Sequence, residues 1–503
     1  MKAFSNLLLL LCVYSLSAQT DIEKTMETVN QSKIEGHIYF LADDLLKGRA
    51  TGTPELKITA SYLANTLRGY GVKPNPKTND YYQDVKLKRV LPPSEVSVQI
   101  NDMKIEDYAL IFPSPVQLEG DALFLNYGLL DDYTGKDVKD KVIIVKAGGP
   151  DAQDARTAYG LRMEKQKMAK EKGVSAIIEL LDTNENTWNF MSHNFNEAKL
   201  MVAENENGED DKSYDQQVAH LWALDTGGAL TTKWEPSTAL TAKIKLSEKN
   251  EEAVISQNVI GIVEGTDPKL KDEYIIYSAH YDHVGIGTPD ETGDTIYNGS
   301  RDNAVGTTTV LSMAENLAKY PTKRSALFIL FTGEEAGLLG SEYYVENPVL
   351  PLNQMVYCFN SDNGGYNDTS LATIIGLTRT TAEKNIASAA TTFGLKAIED
   401  PAKEQGLFDR SDNVNFAKKG IPSPTFSLGF SSFDGDVTKY YHRPGDEADT
   451  LDYDYLLKFF RAYVLSGRQI GNDLSTPTWV VGDKYEAAGN ALYQKVPEVP
   501  MKN

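Results

Sequence analysis

Two adjacent acids, Glu334 and Glu335, follow the apolar run Ala326–Phe331 in this sequence. Neighbouring side chains point to opposite faces of a strand and diverge by roughly 100° on a helix. The two carboxylates therefore face different surroundings, and we expect them to have different roles.

Similar polar clusters follow other apolar segments of the chain. "YIIYS" runs into His280 and Asp282, "MVYCF" runs towards Asp362, and the loop "NGSRDNAVG" carries Asp302 just before a helix. In open α/β sheets, functional sites form at the carboxyl ends of the strands. One acid at a strand end is usually a helix cap, but several clusters at one edge favour a common site. Histidine and carboxylates suit zinc, and Asp282 is expected to orient His280 by accepting from its second ring nitrogen.

Length and charge limit the possible classes of protein. A chain of 503 residues is too long for one ordinary core, so we expect at least two packing units. Charged residues make up 24% and apolar residues 41%, as in a globular enzyme. The formal net charge of −21 argues against nucleic acid or an anionic membrane surface as a partner.

The first 18 residues are predicted to form a secretory signal peptide. Lys2 precedes a run of leucines, and small residues lead to a cleavage site near Ala18. No later stretch is long enough to span a membrane. Cleavage would remove Cys12 and leave Cys358, so no internal disulfide is possible. We therefore expect an exported protein, periplasmic or secreted.

The pattern of predicted helices and strands divides the mature chain into three parts. Residues 19–111 begin as helices with a loop at "KGRATGTPE", residues 112–236 form a smaller β-rich or α/β unit, and residues 237–503 alternate short strands with helices. This alternation indicates an α/β fold with a mostly parallel central sheet flanked by helices. The acidic stretch His193–Gln217 inside the middle unit is predicted to be a loop. One predicted helical face before Gly71 comprises Ala60, Leu63, Ala64 and Leu67.

Taken together and in order, the polar motifs resemble those of the co-catalytic zinc exopeptidases. This family holds bacterial leucyl aminopeptidases, plasma carboxypeptidases and glutamate carboxypeptidase. The matching pieces are "SAHYDHVG", "NGSRDNAVGT", "LFTGEEAGLLGS", "NSDNGG", "RSDNVNF" and "YYHRPGDEADTLD". The N-terminal "LADDLLKGRATGTPE" is also similar to bacterial members, and the middle unit resembles their protease-associated insert. The resemblance implies the zinc exopeptidase fold, with the insert at residues 112–236.

The resemblance also implies a centre of two zinc ions per chain, bridged by Asp302. The expected ligands fall into two sites that share this residue, with His280 and Asp362 in one and Glu335 and His442 in the other. Glu334 is then the general base, which gives the two adjacent acids their separate roles. Tyr441 is similar to a tyrosine whose hydroxyl donates to the oxyanion of the reaction, although packing is an equal alternative.

Residues beside these motifs are given lesser roles. Asn413 stands where many relatives have histidine, which leaves the loop Ser411–Phe416 as pocket wall. Arg301 precedes the bridging acid and is not expected to affect metal binding. Asp446 either orients His442 or caps the next segment, and capping is favoured. Four histidines match no family position: His37, His193, His220 and His283.

The expected function is hydrolysis of short peptides from a free end, most plausibly the amino end. Acids such as Glu334 and Asp362 suit an α-ammonium group, whereas only Arg410 in the matched motifs could meet an α-carboxylate. The alternatives are a carboxypeptidase or dipeptidase of the same family, a glutaminyl cyclase with one zinc, and a non-catalytic receptor-like binding protein. The expected partner is a peptide, and the sequence leaves the oligomeric state open.

Overall fold

The computed structural model describes residues 19–203, 217–237 and 239–494. The predicted signal peptide lies outside the described residues, as does the larger part of the acidic stretch. Among the described residues the α-helices are α1 (Asp21–Thr28), α2 (Gln31–Leu41), α3 (Pro54–Tyr70), α4 (Ala155–Lys172), α5 (Glu185–Asn196), α6 (Ala229–Trp234), α7 (Gly306–Lys319), α8 (Leu339–Glu346), α9 (Glu383–Thr392), α10 (Asn413–Lys418), α11 (Tyr453–Asn472) and α12 (Glu486–Leu492).

The strands alternate with these helices along most of the chain. They are β1 (Lys73–Pro74), β2 (Tyr82–Val90), β3 (Val96–Ile100), β4 (Met103–Lys104), β5 (Tyr108–Phe112), β6 (Val116–Phe124), β7 (Val142–Lys146), β8 (Ala176–Leu181), β9 (Lys199–Val202), β10 (Ala219–Leu224), β11 (Leu240–Leu246), β12 (Glu251–Val263), β13 (Tyr274–His280), β14 (Gly285–Ile286), β15 (Ile296–Tyr297), β16 (Ser325–Phe331), β17 (Met355–Ser361), β18 (Leu371–Ile375), β19 (Lys396–Glu399) and β20 (Thr425–Leu428).

The chain divides into two compact units. The first unit comprises the residues up to Val85 and those from Ile255 onward, and the inserted unit comprises Lys86–Val254. The inserted unit is therefore longer at both ends than the predicted range 112–236. The reason lies in its sheet, because β11 pairs with both β3 and β6 and so draws strands from outside that range into one layer.

The first unit is built on a mixed sheet with a parallel centre. Its strands lie in the order β19-β18-β20-β17-β13-β16-β12, with β1 paired to β12. The central strands β16, β13, β17 and β20 are parallel to one another. β12 is antiparallel to β16, and β18 is antiparallel to β20. The predicted α/β fold is confirmed, and the carboxyl ends of the parallel strands meet at one edge.

Helices cover both faces of this sheet because its strands are apolar on both sides. One face packs against helices α2, α3, α7, α9 and α11, and the other packs against α8 and α10. Alternate strand residues divide between the two layers: Tyr277, Phe328 and Phe359 face the first, and Ile276, Leu327 and Cys358 face the second. The sheet is thus a buried and rigid base for the loops at its carboxyl edge.

Helix α3 follows its sequence signals closely. Thr53 caps its first turn by accepting from the backbone of Leu56, and Pro54 occupies the first turn, where its missing N–H costs nothing. Gly71 ends the helix in the left-handed conformation, at φ 82°. The predicted apolar face is buried, with Ala60, Leu63, Ala64 and Leu67 at most 1% exposed.

The inserted unit has its own sheet, in the order β4-β3-β11-β6-β7-β8-β10-β5. The predicted strands and helix of this region are present as β6, β7, α4 and β8. The predicted loop His193–Gln217 is wrong at its start, because His193–Asn196 end α5 and Lys199–Val202 form β9. Across the described residues of both units, no helix is long and apolar enough to cross a membrane.

Candidate metal centre

Polar side chains meet at the carboxyl edge of the parallel strands, as the sequence predicts. β13 ends at His280, and β16 and β17 end just before the acids that follow them. Asp302 lies in the turn Ser300–Val305 that leads into α7, and its own backbone is not helical, with φ at −112° and ψ at 89°. The structure brings together six side chains, which we call the carboxylate–histidine cluster: His280, Asp302, Glu334, Glu335, Asp362 and His442.

The first half of the cluster surrounds His280. Its Nε2 lies 3.3 Å from Oδ1 of Asp302 and 3.3 Å from Oδ1 of Asp362. The imidazole is 1% exposed, so both carboxylates approach it in a site that holds little water. Glu334 also offers a carboxylate oxygen to this half of the cluster.

The second half surrounds His442. Its Nε2 lies 3.2 Å from Oδ2 of Asp302 and 3.0 Å from Oε2 of Glu335. Asp302 therefore directs one carboxylate oxygen to each imidazole and joins the two halves. His442 itself has a left-handed backbone, with φ at 51°, which is uncommon for a residue other than glycine.

The carboxylates strongly favour positive charge in this space. Burial lowers the pKa of His280, but Glu334, Asp362 and Asp302 outweigh it and raise that pKa well above the usual range. The pKa of His442 is raised to about 10, because Asp302 and Glu335 together outweigh the effect of burial. The pKa of Asp302 is held below its usual range, since the imidazoles outweigh its burial.

The donor set fits zinc. Four donors at zinc distances of about 2.0–2.2 Å stand roughly 3.3–3.5 Å from one another in a tetrahedron. The measured separations between imidazole nitrogens and carboxylate oxygens, 3.0–3.3 Å, are close to that spacing. Without a cation, His442 Nε2 is buried and has no hydrogen-bond partner. The nitrogen and oxygen donors are of the types that zinc prefers.

Glu334 differs from its neighbour Glu335 in its electrostatic surroundings. Burial raises the pKa of Glu334 well above the usual range, and the nearby acids Asp362, Glu335 and Asp412 raise it further. The pKa of Glu335 is lowered, because its contacts with the imidazoles of His283 and His442 outweigh its burial and the charge of Asp302. One of the two adjacent acids is therefore held ionised, while the other is poised to take a proton.

Sequence reasoning missed the contact made by His283. Its Nδ1 lies 2.7 Å from Oε1 of Glu335, and its ring is 1% exposed. Glu335 thus meets His442 through one carboxylate oxygen and His283 through the other. The only sequence signal is its position three residues after His280, just past the end of β13.

Asp282 lies in the site but makes different contacts from those expected. Nδ1 of His280 donates to the backbone oxygen of Asp282 at 3.2 Å, while the nearest carboxylate oxygen is 3.8 Å away. The carboxylate instead accepts from the hydroxyl of Thr51 at 2.8 Å and from the backbone of Glu334 at 3.2 Å. The predicted side-chain hydrogen bond from His280 is wrong, because Nδ1 of His280 donates to the backbone oxygen of Asp282 instead.

Asp446 stabilises the turn that carries Asp302. Its carboxylate accepts from the guanidinium of Arg301 at 2.8 Å and from the backbone nitrogens of Arg301 and Asp302 at 2.9 and 3.3 Å. It thus caps the turn Ser300–Val305, whereas the sequence favoured a cap on the segment after Asp446. Arg301 also packs over the ring of Tyr440, 4.0 Å from its centre. Its contacts therefore stabilise the turn Ser300–Val305, in agreement with the expectation that it does not affect metal binding.

A cavity of about 100 Å³ opens onto the cluster beside Asp302, Glu334 and Asp362. Tyr441 lines it and stacks on His442, with ring centres 3.9 Å apart. Arg410 is the cationic side chain in the described lining, and it is exposed. The remaining wall contains five apolar side chains, Ile375, Leu407, Phe430, Phe433 and Val437, together with two glycines and the hydroxyl side chains of Ser411, Thr425, Ser427 and Thr438.

The other residues to which the sequence assigns no catalytic or ligand role lie away from the cluster. Asn413 is buried and donates to the backbone oxygens of Phe408 and Ser423, and Ser411 is the member of its loop, predicted to be pocket wall, that lines the cavity. His37 lies between two tyrosine hydroxyls, His220 is buried in the inserted unit, and His193 is exposed.

Comparisons with known proteins agree with this geometry. Residues 258–465, which carry every member of the cluster, match the model of Peptidase family M28. Over this segment, about two fifths of the chain, the protein is similar to peptidase family M28. The predicted resemblance to a zinc exopeptidase family is thereby confirmed for this segment.

Several curated relatives and solved structures are aminopeptidases by name. Aminopeptidase YwaD of Bacillus subtilis is 31% identical over 235 residues, which cover 44% of this chain and 47% of that protein. A probable leucine aminopeptidase 2 of Aspergillus oryzae is 23% identical over 83% of this chain and 79% of its own length. The chain thus spans about half the length of YwaD.

Two solved structures share the fold at low identity. An aminopeptidase from Aneurinibacillus sp. strain AM-1 has a TM-score of 0.60 at 20% identity, covering 90% of this chain and 97% of that one. The zinc aminopeptidase BSAP from Bacillus subtilis has a TM-score of 0.53 at 20% identity, covering 89% and 97%. These matches extend the likeness of fold beyond the M28 segment.

Proposed function

We propose that the chain is a zinc-dependent aminopeptidase with a centre of two zinc ions. The observation that carries this proposal is the position of Asp302, whose two carboxylate oxygens lie 3.3 and 3.2 Å from two different imidazoles. Such a carboxylate suits a bridge between two ions. His280 and Asp362 would complete one site, and Glu335 and His442 would complete the other.

The residues around the proposed centre have different roles in hydrolysis. A zinc pair, when bound, polarises the scissile carbonyl and lowers the pKa of water. Glu334 borders the cavity with a raised pKa, so it can accept a proton from the attacking water and deliver it to the leaving amine. Tyr441 lies in the same wall, and its hydroxyl is the proposed donor to the oxygen of the tetrahedral intermediate.

The charge of the cavity favours the amino end of a peptide. Asp302, Glu334 and Asp362 make its inner end acidic, which suits an α-ammonium group. The apolar side chains of its wall then receive the first side chain of the substrate, and we propose a preference for apolar residues there. Relatives that are named aminopeptidases support this choice over a carboxypeptidase or dipeptidase.

Three forms of one short peptide with an N-terminal leucine test the direction of cleavage. The free peptide and its C-amidated form should be hydrolysed from the amino end, and the N-acetylated form should be resistant. Mass spectrometry of the products over time identifies which bond is cut first. Cleavage of the acetylated but not the amidated peptide would assign a carboxypeptidase instead.

Metal content tests the centre independently of activity. Elemental analysis of the purified protein should find close to two zinc ions per chain, and Glu335→Ala should reduce this number towards one. A wild-type protein saturated by a single tightly bound ion would instead favour the glutaminyl cyclase alternative. No turnover despite two bound ions would favour the receptor-like alternative.

Export is the remaining part of the proposal. The apolar N-terminal stretch after Lys2 supports a signal peptide that is removed near Ala18. Expression of the full chain in a bacterium, followed by N-terminal sequencing of the periplasmic or secreted fraction, should give a start close to residue 19. An intact N-terminus retained inside the cell would reject this part of the proposal.

A further inference from the structure

The segment Lys47–Thr51 contains several unusual features that the proposed function does not use. Lys47, Gly48 and Arg49 all have left-handed backbone conformations, with φ of 45°, 68° and 52°. A side-chain carbon on Gly48 would lie 2.5 Å from the backbone oxygens of both Gly285 and Tyr297. The segment Lys47–Thr51 therefore lies directly against the backbone of both strands of the β14–β15 hairpin. This hairpin follows His280 and Asp282 in the chain.

Arg49 is 1% exposed and donates to backbone oxygens from separate segments. Its Nε binds the oxygen of Tyr281 at 3.0 Å, between His280 and Asp282 in the chain. Its terminal nitrogens bind Asn298 at 2.6 Å and Gly299 at 3.0 Å, directly before the turn that carries Asp302. One side chain thus joins the two loops that supply ligands to the first half of the cluster, and it also contacts the oxygen of Leu41.

The shape of the guanidinium matters for these contacts. It presents five N–H donors in one rigid plane, while a lysine has three donors on a single flexible point. Burial lowers the pKa of Arg49 to about 10, with Asp282 and other acids of the site opposing the shift, so it stays charged at neutral pH. Lysine would keep the charge but could not hold all of these oxygens together.

The backbone of Arg49 and the side chain of Thr51 bind the next residues of the same loop. The backbone oxygen of Arg49 accepts from the nitrogen of His283 at 3.2 Å. The hydroxyl of Thr51 donates to the carboxylate of Asp282 at 2.8 Å. Together with the bond from Arg49 to Tyr281, three consecutive residues of the loop are fixed.

These fixed residues in turn hold the two adjacent acids. The carboxylate of Asp282 accepts from the backbone of Glu334 at 3.2 Å, and Nδ1 of His283 lies 2.7 Å from the carboxylate of Glu335. Asp282 thus contacts Glu334, and His283 contacts Glu335. The contacts run without a break from Thr51 to the proposed base and from Arg49 to a proposed ligand.

We propose that Arg49 and Thr51 are positioning residues for the metal centre, acting on Glu334 through Asp282 and on the ligands through the loops 280–283 and 298–302. This inference rests on the proposed function. Residues that orient ligands and catalytic groups from behind typically change metal affinity or activity about 10- to 100-fold when they are removed.

Thr51→Val tests the path to Glu334, because it removes one hydroxyl and leaves the size of the side chain almost unchanged. We expect kcat to fall about 10-fold or more with little change in KM. Thr51→Ser should restore most of the loss by supplying the hydroxyl again. The matched control is Thr59→Val, since Thr59 is fully buried in α3 and donates only within its helix.

Arg49→Lys tests the path to the ligands, with Co²⁺ as the probe. We expect its dissociation constant for Co²⁺ to rise about 10-fold or more, and the visible absorption of bound Co²⁺ to shift as the ligand geometry changes. The matched control is Arg324→Lys, because Arg324 is also 1% exposed and also binds backbone oxygens, but it lies beside the amino end of β16.

The outcomes separate this inference from the proposed function. A wild-type protein that binds no Co²⁺ or Zn²⁺ rejects the metal centre itself. A wild-type protein that binds metal and cleaves peptides, with Thr51→Val and Arg49→Lys matching their controls, rejects only the positioning roles. If Arg49→Lys does not fold, the kcat of Thr51→Val against Thr51→Ser and Thr59→Val decides the question.

Discussion

The molecule contains two buried groups of charged side chains, and the pKa of a central glutamate is shifted in opposite directions in the two. In the inserted unit, Glu179 is fully buried, and its carboxylate lies 2.5 Å from the ammonium of Lys165 and 2.8 Å from Nε2 of His220. It also accepts from the indole of Trp222 at 2.8 Å and from the backbone of Gly148 at 3.2 Å. Lys165 and His220 outweigh the burial of Glu179 and lower its pKa.

The carboxylate–histidine cluster of the first unit has more acids than cations. It contains four carboxylates and two imidazoles, and Glu334 keeps a raised pKa because its partners do not compensate for its burial. A carboxylate with all its lone pairs occupied, as in Glu179, is stable and inert. A surplus of buried negative charge is the condition that attracts cations and shifts proton affinity, which is why such clusters are found at functional sites.

The largest expected effect comes from removing the unpaired acid. Glu334→Gln should lower kcat by about 10³-fold while zinc content stays at the wild-type level, because only the proton acceptor is lost. Its free energy of unfolding should be unchanged or higher, since the change relieves repulsion among acids. Steady-state kinetics, elemental analysis and denaturant unfolding measure the three quantities.

Glu342→Gln, on the neighbouring helix α8, is a suitable control for this prediction. Its side chain is exposed and lies outside the cluster, so the kcat of this variant should match wild type. Near-normal turnover in Glu334→Gln would mean that Glu334 is not the base.

In the inserted unit, we expect a substitution in the buried group to lower stability instead of activity. Lys165→Met leaves Glu179 buried without its ammonium partner, and we expect a loss of about 3 kcal/mol in the free energy of unfolding of this unit. Lys167→Met on the same helix changes an exposed side chain and should cost much less. Denaturant titrations followed by tryptophan fluorescence report on this unit, because the indole of Trp222 donates directly to Glu179. Equal stability of the two variants would show that Lys165 does not compensate Glu179.

A third group, the partly buried His37, contacts two neutral hydroxyls and gives a smaller, pH-dependent effect. Its ring nitrogens lie 2.7 and 2.9 Å from the hydroxyls of Tyr62 and Tyr70, and burial lowers its pKa to about 4. The unfolded chain, with a histidine pKa near 6.5, takes up a proton that the folded state excludes. Stability should therefore fall by about 2 kcal/mol as the pH drops from about 6.5 towards 4.

Unfolding by denaturant at several pH values checks this prediction. His37→Gln should flatten the decline between pH 6.5 and 4, because glutamine does not titrate there. A matched variant of the exposed histidine, His193→Gln, should leave the pH dependence of wild type intact. An unchanged decline in His37→Gln would assign the acid sensitivity to other groups.

Local patterns predicted the elements of the first unit well. The apolar strands and amphipathic helices match β13, α7, β16 and β17 almost residue for residue, because each has a strong period and clear ends. The convergence of His280, Asp302 and Asp362 also followed from the sequence, since parallel strands bring their carboxyl ends to one edge. The roles of these residues remain proposals.

What the sequence could not predict are contacts between distant segments. Nothing in the spacing of His283 shows that its ring meets Glu335, some fifty residues later. The partners of Asp282 were wrong for the same reason, because Thr51 comes from the N-terminal loop. The wider bounds of the inserted unit likewise depend on the pairing of β11 with β3, which no local pattern encodes.

Cys358 provides a natural reporter of motion in the central sheet. It is the free cysteine among the described residues, lies in β17 between two parallel neighbours, and is fully buried. Burial raises the pKa of its thiol to about 12, so a thiol reagent reacts only after the strand separates from its neighbours. In a chain that begins at residue 19, and so lacks Cys12, the rate of thiol labelling would measure how often the floor of the candidate site opens in native conditions, without any substitution.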